Sequence, residues 1–196
     1  VEYGLHVKLD HLRRHYHQIY FSTGAQTDRS LGIPGEDLRG SHSATEFVAW
    51  YNGHPDFRHC TFDLSQERVA IIGVGNVAID VARILARTPK ELEETDIADY
   101  ALEALRHSKV REIYVLGRRG PAQAAFTNPE VKELGELEGA DVVVMPQDVV
   151  LDALSRTELE QDADRTALRN VEILEDFSLR PLTGKANRLI FRFLDS

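Results

Sequence analysis

Two stretches of the sequence carry residue types whose spacing suits the binding of a phosphorylated ligand. The first is Gly73-Val74-Gly75-Asn76-Val77-Ala78, a Gly-x-Gly-x-x-Ala pattern. In this pattern Gly73 allows a tight turn, Gly75 lets the backbone approach a pyrophosphate, and Ala78 lets a helix pack closely on a strand. The N–H groups at the start of such a helix face the phosphates with a partial positive charge. The pattern therefore predicts dinucleotide binding.

The second stretch is the pair Arg118-Arg119, which follows a strand-like apolar run over residues 110–116. An acidic residue in this place favours NAD, because it binds the ribose 2′-hydroxyl. Two guanidinium groups instead suit a 2′-phosphate, which they can hold by bidentate hydrogen bonds. An arginine pair taken alone is more often a solvated part of a loop. Here its position after a strand, together with the glycine turn, predicts NADP(H) rather than NAD(H).

The elements that must position these residues are those of a dinucleotide-binding α/β domain. Residues 69–72 are typical of a strand covered on both faces, and residues 79–85 continue with helical spacing. Capping patterns at Ser43 and Thr88 predict helix starts, the second one opening an acidic helical insertion. We expect a Rossmann-like three-layer fold with a central parallel sheet and an antiparallel β excursion near the C-terminus. Strands are predicted at residues 1–10, 18–22, 69–72, 110–116, 141–145, 171–179 and 188–194, and a helix at residues 155–168.

The composition limits the classes of function. The chain has 196 residues, of which 42% are hydrophobic and 28% charged, as is ordinary for a globular protein. A net charge of −9 argues against a nucleic-acid partner, because no basic surplus exists to neutralise phosphates. Cys60 is the only cysteine, which excludes an internal disulfide and suits a cytoplasmic location. No apolar run approaches the roughly 20 residues of a membrane span.

Other functions were weighed against nucleotide binding. His15 and His17 would share a face of a strand, but no third ligand stands at a recognisable spacing, so no metal site is predicted. A flavin-free short-chain dehydrogenase would carry Tyr-x-x-x-Lys, and none of the six tyrosines has lysine four residues later. A non-catalytic NADP(H) sensor or binding domain stays open as the alternative function.

Several motifs occur in combination along the chain. They are Trp50-Tyr51-Asn52-Gly53, Gly75-Asn76-Val77-Ala78-x-Asp80-Val81-Ala82-Arg83-Ile84-Leu85, Gly117-Arg118-Arg119-Gly120-Pro121-x-Gln123-x-Ala125-Phe126-Thr127, Ile33-Pro34-Gly35-Glu36-Asp37-Leu38 and Phe191-Arg192-Phe193-Leu194. Together these motifs closely resemble the adrenodoxin reductase-like ferredoxin–NADP+ reductases, and the likeness extends over nearly the whole chain. The resemblance implies a flavoenzyme with one domain for FAD and one for NADP(H). In this family hydride passes from NADPH to the flavin, and single electrons then leave for a ferredoxin-type iron–sulfur protein.

The resemblance also implies roles for single residues. The glycine turn, with Asn76 and Val77 at the helix start, matches the pyrophosphate site, and the arginine pair matches the family's pair on the 2′-phosphate. Glu130 matches a contact to the adenosine-side ribose. Glu133 matches a catalytic carboxylate near the nicotinamide that assists proton handling, although both glutamates also suit the first turn of any helix. Thr23-Gly24-Ala25 resembles the stretch that contacts the flavin nucleotide.

One departure from the family pattern bears on the domain organisation. The sequence has no second glycine fingerprint for FAD and lacks the family's C-terminal flavin-contacting segment. We therefore assign residues 1–60 to a flanking segment of the FAD domain and residues 61–196 to the NADP(H)-binding domain. Because the chain starts at Val1 and stops at Ser196 directly after a predicted strand, we expect it to be a piece of a longer protein. This piece is expected to bind NADP(H) but to lack FAD and diaphorase activity.

Overall fold

The computed structural model describes residues 2–22, 28–151, 153–162 and 165–193. The chain divides into two compact units, Val1–Leu31 and Gly32–Ser196. The first unit contains the short helix α1 (Leu9–Arg13) and an isolated bridge between Tyr3 and Val7. The strands predicted at residues 1–10 and 18–22 are therefore wrong for the described residues. The domain boundary predicted after residue 60 stays a prediction.

The second unit is built on a four-stranded sheet in which every neighbouring pair is parallel. Its strands are β1 (Arg68–Ile72), β2 (Glu112–Gly117), β3 (Ala140–Val144) and β4 (Asn187–Phe193). They are ordered β1-β2-β4-β3 across the sheet. The register places Ile71 beside Val115, and Val115 beside Phe191, which forms one apolar row. The predicted α/β class with a parallel sheet is confirmed.

Helices precede, follow and connect these strands. Helix α3 begins directly after the glycine turn, and its buried residues Ile79, Ala82 and Leu85 face the sheet. The predicted caps are formed, because Ser43 Oγ accepts from the Glu46 N–H at 3.3 Å and Thr88 Oγ1 accepts from the Glu91 N–H at 3.2 Å. The helices are α2 (Ala44–Tyr51), α3 (Asn76–Ala86), α4 (Pro89–Glu93), α5 (Asp99–Arg106), α6 (Asn128–Glu133), α7 (Ala153–Asp162) and α8 (Arg165–Leu179). Single 3₁₀ turns lie at Pro55–Phe57, Pro121–Gln123, Leu134–Glu136 and Pro146–Val149.

Residues 171–179 are the main correction to the predicted fold. They form the second half of α8 rather than a strand, and the described strands include no antiparallel excursion. The buried residues Val171, Leu174 and Phe177 recur every three residues, which matches a helical face. The buried Asn170 in the same helix donates to the main-chain oxygen of Phe126 at 2.8 Å, so α8 also supports the loop that precedes α6.

The described helices cover one face of the sheet. On this face Val115, Leu189 and Phe191 are fully buried, and α3 packs against three of the strands. On the opposite face of β1, Ala70 is exposed and the Ile72 side chain is 58% exposed. The described residues thus form two layers, sheet and helices, of the three that the sequence predicts.

A buried carboxylate connects β3 to the turn that leads into β4. Asp141 accepts hydrogen bonds from the Thr183 N–H at 3.0 Å, the Thr183 hydroxyl at 2.6 Å, the Gly184 N–H at 3.0 Å and the Lys185 N–H at 3.2 Å. Burial opposes the ionisation of Asp141, but these four hydrogen bonds outweigh it and lower the pKa of the carboxyl. The ionised Asp141 therefore fixes the turn beside the β3–β4 pair.

The Asp141→Asn variant is expected to unfold more easily by about 1–3 kcal/mol, because an amide cannot accept all four hydrogen bonds. The folded-state pKa lies below the ordinary value of 3.8, so the stabilising effect of Asp141 is present above that pH and is lost as the pH falls through the folded-state pKa. Urea unfolding of both chains between about pH 3 and pH 7 measures the effect, and the difference between them should shrink at the acid end.

The control for this experiment is Asp176→Asn. Asp176 pairs with Arg180 on the exposed side of α8, where both side chains are about half exposed, at 61% and 47%. Exposed pairs contribute little, so we expect a change below about 0.5 kcal/mol. A pH-independent loss that is equal for the two variants would contradict the role given to Asp141.

Candidate functional site

The glycine turn connects the end of β1 to the first residue of α3. Gly73 has a φ of +131°, which L side chains rarely adopt, and its N–H donates to the Leu116 carbonyl oxygen at 2.9 Å. Gly75 is the N-cap residue of α3, and a Cβ built on it would meet no atom within 4 Å. Open space therefore lies in front of Gly75, as close approach of a ligand to the backbone requires.

The start of α3 offers N–H donors next to this space. The first hydrogen bond along the helix runs from the Ile79 N–H to the Gly75 carbonyl oxygen at 3.2 Å. The N–H groups of Asn76, Val77 and Ala78 come earlier and have no acceptor within the helix. The Val77 side chain is 53% exposed, whereas Ala78 is buried against the core, as its small size predicted. The combination of donors without an acceptor in the helix and the helix dipole suits an anionic group.

The loop after β2 is fixed to the glycine turn. The Ala125 N–H donates to the Val74 carbonyl oxygen at 2.8 Å, and the Thr127 N–H donates to Asn76 Oδ1 at 2.8 Å. The side chain of Asn76 thus holds the protein's own loop, a role that its place in the glycine pattern did not reveal. Gly117 makes this close packing possible, because a Cβ there would lie 3.0 Å from both Val74 Cγ1 and Phe193 Cδ1.

Arg118 and Arg119 directly follow β2, and both are exposed. Strands β1 and β2 are parallel with Ile72 beside Leu116, so their carboxyl ends reach the same edge of the sheet. This register brings the arginine pair next to the glycine turn. No carboxylate in the part of the chain that the structure describes pairs with either guanidinium group, so both positive charges are available to a ligand.

Glu130 and Glu133 of α6 lie at the guanidinium group of Arg83 in α3. Arg83 Nη2 pairs with the Glu130 carboxylate and lies 3.6 Å from Glu133 Oε2, while Nη1 lies 2.7 Å from Asp80 Oδ1. Burial raises the pKa of Asp80, and the carboxylates of Glu130 and Glu133 add to this effect against the opposing charge of Arg83. We call these four residues the Arg83 cluster.

Asp80 and Arg83 were not predicted as site residues, although both stand in the glycine-helix motif. Their three-residue spacing, which places them on one face of a helix, was the available clue. The buried Tyr51 lies close enough to Asp80 and Arg83 for their charges to affect the pKa of its phenol. Burial, followed by the negative charge of Asp80, raises the pKa of Tyr51 to about 12, so its phenol stays protonated throughout the neutral range.

The remaining candidates have no visible part in this site. Thr23-Gly24-Ala25, predicted to contact flavin, lies outside the described residues. His15 and His17 are exposed, and the described residues contain no group of three or more His, Cys, Asp or Glu side chains placed to hold a metal ion. Trp50 belongs to the core, where its ring lies 5.6 Å from that of Phe47.

No helix among the residues described by the structure has both the length and the apolar character needed to cross a bilayer.

The chain is similar to known reductases, although no family model matches it. It is 46% identical over 193 residues to NADPH-ferredoxin reductase FprA of Mycobacterium leprae, a match that covers 98% of this chain and 42% of the relative. It is 42% identical over 188 residues to the mitochondrial NADPH:adrenodoxin oxidoreductase of Arabidopsis thaliana, covering 95% of this chain and 38% of the relative.

A solved structure shows the same similarity in three dimensions. Mycobacterium tuberculosis FprA in complex with NADPH is 44% identical and superposes with a TM-score of 0.84, covering 100% of this chain and 42% of that one. The chain thus spans less than half the length of these relatives. Over the part that it spans, sequence and fold agree, which confirms the resemblance to the adrenodoxin reductase-like ferredoxin–NADP+ reductases that the motifs predicted.

Proposed function

We propose that this chain binds NADP(H) and provides the NADP(H)-binding domain, residues 61–196, of a flavin-dependent ferredoxin–NADP+ reductase. The observation that carries the proposal is the meeting of the glycine turn with Arg118 and Arg119 at one edge of the sheet. The open space before Gly75 suits a pyrophosphate, and the two exposed guanidinium groups suit a 2′-phosphate. The NADPH bound by the similar FprA structure supports the choice of ligand.

Within the whole protein, the residues of this chain would bind and orient the nucleotide. When bound, FAD would supply the redox chemistry, accepting hydride from NADPH and passing electrons to a ferredoxin-type protein. We propose Glu130 as the acceptor for an adenosine-side ribose hydroxyl and Glu133 as the carboxylate that handles a proton near the nicotinamide. We also propose that residues 1–60 flank the FAD domain, with Thr23-Gly24-Ala25 on the flavin side.

The partner and the location are proposed on the same basis. Relatives named as ferredoxin and adrenodoxin reductases support a ferredoxin-type iron–sulfur protein as the electron acceptor. We propose the cytoplasm as the location, because the single free thiol of Cys60 suits a reducing compartment.

Replacing both Arg118 and Arg119 by Ala is expected to weaken NADP+ binding by about 2–4 kcal/mol, because charge-assisted hydrogen bonds to the 2′-phosphate are lost. Binding of NAD+, which lacks that phosphate, should change by less than about threefold. Calorimetric titration of the chain with both nucleotides measures the two affinities. The matched control replaces Arg13 and Arg14, a second pair of consecutive and exposed arginines, by Ala, which changes the net charge by the same amount. Equal losses for NADP+ and NAD+ would overturn the 2′-phosphate assignment.

The Gly75→Ala variant should weaken nucleotide binding without changing the stability of the fold. Gly75 has a φ of −111°, which alanine adopts freely, and the added methyl group meets no protein atom, so the unfolding free energy should hardly change. The methyl group would occupy the space proposed for the pyrophosphate, so NADP+ and NAD+ should both bind at least about tenfold more weakly. Calorimetry and urea unfolding measure the two effects.

Gly73→Ala is the comparison for this variant. The positive φ of Gly73 strains any L residue, so this variant should lose stability as well as affinity. Unchanged NADP+ binding by Gly75→Ala would place the pyrophosphate elsewhere.

A further inference from the structure

Arg83 is the partly buried centre of an ion-pair cluster that couples α3 to α6. Its side chain is 13% exposed, whereas those of Asp80, Glu130 and Glu133 are 43%, 36% and 58% exposed. The guanidinium group holds Glu130 in two ways. Nη2 donates to the carboxylate, and it also lies 3.3 Å from the Glu130 carbonyl oxygen. Both the backbone and the side chain of Glu130 are therefore fixed by one residue.

The hydrogen bonds of the Arg83 guanidinium group to Asp80 and Glu130 run from its Nη atoms rather than from Nε. Its Nε is buried and has no hydrogen-bond partner within the described part of the chain. Leaving a buried donor unpaired lowers stability, so such a group calls for an explanation. The partners of its two Nη atoms explain the position of the guanidinium group. These partners are Asp80 on the same helix and Glu130 on α6.

Two residues of α3 together hold the segment that carries Glu130. Asn76, at the start of α3, accepts from the N–H of Thr127, the N-cap residue of α6, at 2.8 Å. Arg83, about two turns further along α3, binds Glu130. Helix α3 therefore fixes the position of α6 at two points. Asn76 contacts a backbone N–H group, whereas Arg83 contacts a carboxylate side chain.

The charge of the cluster matters for an anionic ligand. Asp80, Glu130 and Glu133 place up to three negative charges on α3 and α6, and burial together with the two glutamates already raises the pKa of Asp80. Among the described residues, Arg83 supplies the positive charge that pairs with all three. Without it, the free carboxylates would repel the phosphates of a dinucleotide, and Glu130 would lose its fixed orientation.

We propose that Arg83 is a positioning residue for NADP(H), which orients the Glu130 carboxylate toward the adenosine-side ribose and offsets the negative charge around it. This inference rests on the proposed function, because the ribose contact of Glu130 is itself part of that proposal. The Arg83 side chain is only 13% exposed, and it acts through Glu130 rather than by touching the nucleotide.

A double-mutant cycle tests this role. Calorimetry measures binding of 2′,5′-ADP, which carries the adenosine ribose and the 2′-phosphate but no nicotinamide, to the chain and to Arg83→Gln, Glu130→Gln and the double variant. Each single variant should bind about 5- to 20-fold more weakly, and the double variant should match the weaker single within about twofold, because both changes remove the same ribose contact. Losses that multiply in the double variant would overturn the proposal.

Two further variants separate positioning from general structural support. Arg83→Lys retains a positive charge for Glu130, so it should recover the affinity to within about threefold of the parent chain. Arg169→Gln removes an exposed pair with Glu172 on α8 and should leave binding unchanged. Circular dichroism shows whether each variant folds, and if Arg83→Gln does not, the same cycle is run with Arg83→Met, an unbranched side chain that also lacks the charge.

The failure of this inference differs from the failure of the proposed function. If the parent chain does not bind 2′,5′-ADP, the proposed function is wrong. If the parent chain binds it and Arg83→Gln binds equally well, nucleotide binding stands and the positioning role of Arg83 is wrong.

Discussion

The parallel pairing of β1 with β2 is the constraint on which the candidate site depends. The glycine turn follows one strand and the arginine pair follows the other, so only a parallel register can bring their carboxyl ends to one edge of the sheet. The hydrogen bond from Gly73 to Leu116 continues that register into the turn. Gly117 then lets the end of β2 approach Val74 closely, because no side chain stands between them. The proposed selectivity for a phosphorylated ribose would thus depend on strand pairing as much as on arginine chemistry.

The helices around this edge of the sheet together support the segment that leads into α6. Helix α3 holds the loop after β2 through Asn76 and holds α6 through Arg83. From the other side, Asn170 of α8 binds the carbonyl oxygen of Phe126 and accepts from Asn128 at 2.7 Å. The segment from Phe126 to Glu130 is therefore fixed by polar contacts with two helices. Proposed ligand-binding residues on such a segment are pre-organised, which reduces the entropy lost on binding.

Local patterns made part of this arrangement predictable. The glycine turn, the caps at Ser43 and Thr88 and the strand before Arg118 each depend on a few neighbouring residues, and each is formed as predicted. The prediction of a strand at residues 171–179 was wrong because Val171 and Ile173 also fit the alternation of a strand. In the structure, packing against the core stabilises this segment as a helix. The pairing of Arg83 with Glu130 joins residues 47 positions apart, and no local pattern reveals such a contact.

The strand order has a consequence for how the chain folds. Strand β4 is the last of the four in sequence, yet it lies inside the sheet, between β2 and β3. Until residues 187–193 are in place, the β1–β2 pair and β3 have no backbone hydrogen bonds to each other. During synthesis on the ribosome the sheet therefore closes late, after most of this unit has emerged, and its closure depends on contacts between distant parts of the sequence. The glycine turn and the arginine pair of the candidate site are therefore synthesised before the strand that joins the two parts of the sheet.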